Sequence, residues 1–150
     1  MKVKSQDLYQ FDPITKNQEK TFELWDEGEN LVLMGSAGTG KTFVALYLAL
    51  DEMLQKSSSY DKIIVVRSVV AVREVGFLPG KLEEKTAAFE APYASICDEL
   101  FHRTETYNKL INSHQVQFET TSFVRGKTYD RSIIIVDEMQ NLNFHELDSI

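Results

Sequence analysis

The sequence contains almost no cysteine. Its 150 residues include one, Cys97, so an internal disulfide and a zinc site built from several thiolates are both excluded. A chain without disulfides is typical of a reducing compartment, and we expect a cytoplasmic protein in which Cys97 is a small buried apolar residue. The composition, 43% hydrophobic and 26% charged, is that of an ordinary globular protein, and we expect residues 1–150 to form one domain with one core.

Long apolar runs and a surplus of basic residues are also missing. The longest apolar run, residues 43–50, is far shorter than the roughly 20 residues that cross a bilayer, and the first residues lack the apolar stretch of a signal peptide. The net charge is −7 and the isoelectric point is near 5.0, which argues against a broad basic face that binds nucleic acid. We therefore expect no membrane partner. A local stripe of basic residues that binds nucleic acid remains an open possibility.

Short apolar runs alternate with helical segments along the chain. Strands are expected at residues 31–34, 63–66 and 132–136, with a weaker one at 115–119. Helices are expected at 15–25, 43–54, 81–91, 93–101, 105–112 and 144–150, with a turn at 77–80 and with Pro92 interrupting the helical stretch around it. This alternation predicts an α/β fold, in which a parallel sheet carries helices on both faces.

A glycine-rich segment, GSAGTGKT, lies between a predicted strand and a predicted helix. It matches the P-loop pattern G-x-x-x-x-G-K-[ST] in full, in the context that the pattern requires. Glycines let the loop wrap around phosphate oxygens, and N–H groups at the helix start converge on the anion. Lys41 is expected to reach the β- and γ-phosphates, and the Thr42 hydroxyl to bind Mg²⁺. The predicted nucleotide contacts are Gly35, Ser36, Ala37, Gly38, Thr39, Gly40, Lys41, Thr42 and Phe43.

A second apolar segment, IIIVDE at residues 133–138, ends in two carboxylates. Open α/β sheets bind their ligands at the carboxyl ends of the strands, so this segment predicts a Walker B motif. Asp137 is expected to hold Mg²⁺ through its water shell, and Glu138 to orient and deprotonate the attacking water. The second acid favours a hydrolase over a kinase, because a kinase needs a phosphoryl acceptor site instead.

Two glutamines each have two interpretations. Gln140 is placed for its amide to sense the γ-phosphate, or, with Asn141, it belongs to the N-cap of a helix that begins near Asn143. Gln18 lies three residues after Thr15, which is the capping-box spacing, but its amide also matches the donor and acceptor edge of adenine. The residues alone leave both questions open.

Isolated basic residues and histidines carry weaker signals. Five basic residues are expected to be solvated surface groups or, alternatively, contacts to phosphate or nucleic acid: Arg67, Arg73, Arg125, Lys127 and Arg131. Three histidines lack the spacing of a metal site and are expected to be surface or hydrogen-bonded residues: His102, His114 and His145.

Three segments together resemble one family. They are GSAGTGKT, VVRSVVAVREVGFLPGKLEEK at residues 65–85, and FVRGKTYDRSIIIVDEMQNL at residues 123–142. These are similar to the PhoH-like, phosphate-starvation-inducible P-loop ATPases of bacteria and their phages. The GFLPG-x-LEEK block and the RG-x-T segment are far more specific than the P-loop, and the resemblance runs from about residue 15 to the last residue.

The resemblance implies an ATPase core similar to that of RecA and the superfamily 1 helicases, with ATP and Mg²⁺ as cofactors. It implies that Gln18 belongs to an adenine-recognising Q motif and that Gln140 is the glutamine of helicase motif II. Single-stranded RNA or DNA and further copies of the chain are open as partners. The chain departs from the family at Ser68, where proline is common, and at Met139, where alanine is usual.

The family also implies a sensor strand that follows the Walker B motif and lies between the strands at residues 31–34 and 132–136. The expected fold is therefore a sheet truncated before that strand, and we expect the isolated 150 residues to be marginally stable and poorly active. Three functions remain open: an Mg²⁺-dependent ATPase that is coupled to nucleic acid or acts alone, a nucleotide-binding module with little turnover, and, less favoured, a small-molecule kinase.

Overall fold

Three parallel strands form the centre of the structure, a computed structural model that describes residues 2–68, 82–124 and 126–150. In space they run in the order β2 (Val116–Thr120), β1 (Lys62–Arg67), β3 (Ser132–Asp137). Residues 63–66 are buried because β1 is central and both of its faces are covered, which explains its unbroken β-branched run. The strands predicted at residues 63–66, 115–119 and 132–136 are confirmed, with small differences at their ends.

Helices precede, separate and follow the strands. They are α1 (Lys16–Asp26), α2 (Lys41–Leu54), α3 (Leu82–Phe101), α4 (Thr106–Asn112), α5 (Thr121–Val124) and α6 (Phe144–Leu147), with 3-10 turns at Ser5–Asp7 and Met139–Asn141. The turn predicted at residues 77–80 lies outside the described residues. Among the described helices, none combines the length and the apolar composition that crossing a membrane requires.

The predicted break at Pro92 is wrong, because α3 continues through it. Proline inside a helix removes one backbone hydrogen bond and costs about 3 kcal/mol. Here the turns after the proline bury one side of the helix, and burying a large apolar side chain contributes roughly 1.5–3 kcal/mol. This packing offsets the local cost. The buried residues on that side are Tyr93, Cys97, Leu100 and Phe101, which confirms Cys97 as a buried residue.

Most of the core lies on one face of the sheet. There α2, α3 and α4 pack over Ile63, Val65 and Val116, which are inaccessible to solvent. On the opposite face, alternate residues of β1 pack against Val124 of α5 and against Tyr129. The predicted α/β architecture, a parallel sheet flanked by helices, is confirmed.

The predicted strand at residues 31–34 is wrong. This segment enters the glycine-rich loop without regular secondary structure, and it pairs with neither β1 nor β3. Val32 and Met34 expose 66% and 89% of their surface, so the run is not covered on both faces. An apolar composition favours extended backbone, but a strand also needs a neighbour with which it forms ladder hydrogen bonds. Within the described part of the chain, β3 is paired only with β1.

Candidate functional site

The glycine-rich loop leads directly into the first turn of α2. Gly38 and Gly40 have φ angles of 77° and 81°, in the left-handed region that is strained for residues with a side chain. Gly40 is also the N-cap residue of α2, and no side chain there accepts a hydrogen bond from the first turn of the helix. N–H groups at such a helix start, together with the helix dipole, favour a bound anion.

The Lys41 ammonium lies inside the loop. Its Nζ donates to the carbonyl oxygens of Gly35 at 2.9 Å and Ser36 at 2.7 Å, and lies 3.4 Å from Thr39 Oγ1. The Thr39 hydroxyl donates to Ser36 O at 2.8 Å, which closes the loop on itself. The loop therefore places a cation among backbone groups at the start of α2, at an exposed position.

Thr42 and Asp137 lie far apart in the sequence and meet in the fold. The Thr42 hydroxyl donates to Asp137 Oδ1 at 3.1 Å across a sequence separation of 95 residues. The contact forms because α2 packs against β3, whose last residue is Asp137. The structure thus joins the end of the P-loop to the end of the predicted Walker B strand, and it supplies a hydroxyl and a carboxylate oxygen at one point.

The Asp137 carboxylate has two further donors. Its Oδ1 accepts from the Glu138 backbone N–H at 3.0 Å, and its Oδ2 accepts from the Tyr93 hydroxyl at 2.8 Å. Tyr93 belongs to this site, although sequence patterns do not single it out. A tyrosine within a helix is ordinarily a core residue, and only the tertiary packing of α3 brings its hydroxyl to β3.

Glu138 has an unusual backbone conformation. Its φ and ψ angles are 52° and 38°, in the left-handed region, directly after the strand ends. Its side chain is exposed, and its Oε2 accepts a short hydrogen bond from Gln140 Nε2. The backbone angle alone does not mark Glu138 as functional, because four non-glycine residues of the described chain share this left-handed conformation outside the site. They are His102, Glu105, His114 and Arg131.

The strain at Glu138 predicts a stability difference between two substitutions. Both Glu138→Gly and Glu138→Ala remove the carboxylate, but only glycine adopts the left-handed conformation without penalty, which for an L-residue is about 1–2 kcal/mol. We expect Glu138→Gly to have the larger free energy of unfolding by about 1 kcal/mol, as measured by urea denaturation. Equal stabilities would show that residue 138 leaves the left-handed region in solution.

The capping interpretation of Gln140 and Asn141 is wrong. Both residues lie in the 3-10 turn, and the N-cap of α6 is Asn143. Asn143 Oδ1 accepts from Glu146 N at 3.0 Å, while Glu146 Oε2 accepts from Asn143 N at 2.9 Å, which is a complete capping box. Since Asn143 and Glu146 satisfy the helix start, the Gln140 amide remains beside the Glu138 carboxylate.

Gln18 and Phe43 both have structural partners. The N-cap of α1 is Thr15, whose hydroxyl accepts from Gln18 N at 3.2 Å, and Gln18 Oε1 accepts from Ile14 N at 2.8 Å. The predicted cap is therefore present. In a standard capping box the Gln18 side chain would accept from the N–H of the N-cap residue, Thr15, whereas here it accepts from the residue before Thr15. The Phe43 ring contacts the Phe11 ring edge-on, with centroids 5.1 Å apart.

Three of the five basic residues singled out lie in the described ranges. Lys127 forms an ion pair with Glu119 at 2.9 Å, and Arg131 forms one with Asp61 at 2.6 Å. Arg67, the last residue of β1, is half-buried rather than solvated, and its guanidinium lies 5.5 Å from the centroid of a phenylalanine ring on α3. Arg73 and Arg125 lie outside the described residues.

Comparison with known proteins identifies relatives of this chain. The family described as PhoH-like protein matches residues 10–150. The chain is 34% identical over 124 residues to "Protein PhoH2" of Bacillus subtilis (strain 168), an alignment that covers 80% of this chain and 28% of that protein. It is 31% identical over 137 residues to a "PhoH-like protein" of Mycobacterium leprae (strain TN), covering 90% of this chain and 38% of the relative.

A third relative agrees with these two. "Protein PhoH" of Escherichia coli (strain K12) is 33% identical over 110 residues, which is 72% of this chain and 30% of that protein. The chain thus spans about a third of the length of these relatives, between 28% and 38%. The family match includes the glycine-rich loop, β3 and Tyr93, because all of them lie within residues 10–150. The chain belongs to the PhoH-like protein family.

Proposed function

We propose that this chain binds ATP with Mg²⁺ and hydrolyses it. The observation that carries the proposal is the hydrogen bond between the Thr42 hydroxyl and Asp137 Oδ1 at 3.1 Å. It joins the end of a complete phosphate-binding loop to a carboxylate at the carboxyl end of a parallel strand, where α/β sheets place their ligands. Membership of a family with P-loop features supports the proposal that the chain binds a nucleotide. The proposal that it hydrolyses the nucleotide is supported by the arrangement of Glu138 and Gln140.

The loop and Lys41 would bind the phosphates. Nucleotide binding exchanges the contacts of Lys41 Nζ with the carbonyls of Gly35 and Ser36 for contacts with phosphate oxygens. The bonds from Lys41 to phosphate are stronger than its bonds to the loop carbonyls, because a phosphate oxygen carries negative charge and a carbonyl oxygen does not. The backbone N–H groups at the start of α2 add donors that need no rearrangement of side chains.

Thr42 and Asp137 would hold the metal ion. Both offer oxygen atoms, the ligand type that Mg²⁺ prefers, and Mg²⁺ sites commonly combine one or two protein oxygens with waters and substrate phosphates. When bound, Mg²⁺ neutralises charge on the phosphates. The hydrogen bond to Asp137 orients the Thr42 hydroxyl, so that its proton points toward the carboxylate and a lone pair is left for the metal ion.

Glu138 would act as the general base, with Gln140 as its partner. The two side chains are in hydrogen-bond contact, and Glu138 is exposed beside the Asp137 carboxylate. A carboxylate there is placed to accept a proton from a water that attacks the γ-phosphate, and an adjacent amide is placed to orient the same water. These roles agree with those that the sequence predicts for both residues.

The proposal is tested by phosphate release from the purified chain, with and without single-stranded RNA. Release that requires both ATP and Mg²⁺ is the expected result, and stimulation by RNA would support coupling to nucleic acid. Nucleotide binding without any phosphate release would instead support a binding module. The net charge of −7 restricts nucleic acid to a local basic site rather than a broad face.

Gln18 provides a test of base recognition. If its amide contacts adenine, Gln18→Ala loses that pair of hydrogen bonds, and the preference for ATP over GTP falls by about 10-fold. Thr15→Ala is the matched control, because it removes the capping hydroxyl and about 1 kcal/mol of stability but leaves the Gln18 amide intact. Competition between ATP and GTP in one binding assay measures this preference. An equal preference in the two variants would show that Gln18 is only a capping residue.

A further inference from the structure

The Asp137 carboxylate is held between two hydroxyl groups that come from different helices. Thr42 of α2 donates to Oδ1, and Tyr93 of α3 donates to Oδ2 at 2.8 Å. We propose that Tyr93 is a positioning residue, which fixes the orientation of the Asp137 carboxylate and thereby sets the affinity of the site for Mg²⁺ with nucleotide. The inference rests on the proposed function, since it assigns Asp137 to the metal ion.

Burial makes Tyr93 a dependable donor. Its side chain is inaccessible to solvent. A phenol keeps its proton well above neutral pH, so the Tyr93 hydroxyl has a hydrogen to donate to the carboxylate. The bond to Asp137 Oδ2 is part-buried and charge-assisted, and charge-assisted hydrogen bonds are stronger than neutral ones.

The surrounding residues hold the Tyr93 ring in place. The ring lies 5.8 Å from that of Phe118 on β2. In the ladder between β1 and β3, Arg67 lies directly opposite Asp137. The hydroxyl is therefore delivered from a packed helix to the end of β3, with little freedom to move.

This rigidity matters because a free carboxylate rotates. With Oδ2 bonded to Tyr93, rotation about the Cβ–Cγ bond of Asp137 would break a part-buried hydrogen bond, so Oδ1 stays directed at Thr42. Residues that orient a metal-binding group typically contribute about 10- to 100-fold to metal affinity. The geometry assigns this orienting role to Tyr93.

The test removes only the hydroxyl. Tyr93→Phe is compared with Tyr107→Phe, in which another buried tyrosine, on α4, loses a hydroxyl that donates to Glu90 at 2.7 Å instead. Binding of a fluorescent ATP analogue is titrated with Mg²⁺ at fixed nucleotide concentration, and a parallel titration is made in EDTA. We expect Tyr93→Phe to raise the Mg²⁺ concentration at half-maximal binding by about 10-fold, with metal-free nucleotide binding unchanged and with Tyr107→Phe at the wild-type value.

Each outcome decides the question. An unchanged Mg²⁺ midpoint in Tyr93→Phe, or an equal shift in Tyr107→Phe, overturns the inference while the proposed function stands. Nucleotide binding by the wild-type chain that does not depend on Mg²⁺ overturns the proposed function and the inference with it. A shift confined to Tyr93→Phe supports both.

A second measurement applies if Tyr93→Phe fails to fold. A meta-fluorotyrosine at position 93 keeps the ring and the hydroxyl, and its fluorine resonance reports on the bond to Asp137. We expect that resonance to move when Mg²⁺ is added to the nucleotide-bound protein, because the metal ion withdraws charge from the carboxylate. A label at Tyr107 serves as the control, and a resonance at position 93 that does not respond to Mg²⁺ overturns the inference.

Discussion

Replacement of Lys41 by alanine is expected to lower ATP turnover by about 100- to 1,000-fold, the usual cost of losing one donor that stabilises transition-state charge. Lys41 is the cation that the loop encloses, and its Nζ already lies among the loop carbonyls that border the phosphate site. The remaining donors there are backbone N–H groups, which carry only partial charges. Steady-state phosphate release, together with nucleotide affinity from equilibrium titration, measures the loss.

Lys109→Ala is the matched control for this experiment. It removes the same charge from an exposed position on α4, far from the loop in sequence. We expect wild-type turnover from that variant. Wild-type turnover from Lys41→Ala, in contrast, would falsify the assignment of the glycine-rich segment as a phosphate-binding loop.

Replacement of Glu138 by glutamine is expected to slow hydrolysis strongly while nucleotide binding survives. The substitution keeps the size of the side chain and an oxygen that accepts from Gln140, but it removes the proton acceptor. General-base catalysis typically contributes about 100- to 10,000-fold, so the turnover number should fall within that range. Because the backbone conformation at residue 138 is equally strained in both proteins, their melting temperatures should agree.

Asp137→Asn distinguishes the role of Asp137 from that of Glu138. If Asp137 serves the metal ion and Glu138 the water, Asp137→Asn weakens Mg²⁺-dependent binding, whereas Glu138→Gln retains it and loses only the chemical step. The pair is measured by binding titration and by single-turnover hydrolysis. An equal loss of binding in both variants would show that this division of roles is wrong.

The parts of the site that the sequence predicts are those encoded by contiguous residues. The glycine-rich loop and the IIIVDE segment each carry their geometry locally, so Lys41, Thr42 and Asp137 could be named before the fold was known. Tyr93 could not, since its bond to Asp137 depends on how α3 crosses the end of the sheet. The continuity of α3 through Pro92 was missed for a similar reason, because burial of the following turns outweighs the local effect of proline.

The wrong strand prediction at residues 31–34 has the same origin. The composition of a segment determines how readily it adopts extended backbone, but pairing is a property of two segments. Residues 63–66 have a neighbour on each side and form β1, whereas residues 31–34 have none among the described strands. The α/β class and the parallel sheet followed from the order of the elements, which does not require knowledge of individual partners.

The one-sided pairing of β3 divides its amide protons into two kinetic classes. Successive N–H groups of a strand point to opposite sides, so those directed at β1 are locked in the ladder, while their neighbours face an edge that no strand of the described residues covers. We therefore expect exchange with solvent deuterium to be slow at the positions of β3 that are bonded to β1 and faster at the positions between them. In β1, which has a strand on each side, the locked class extends to every position.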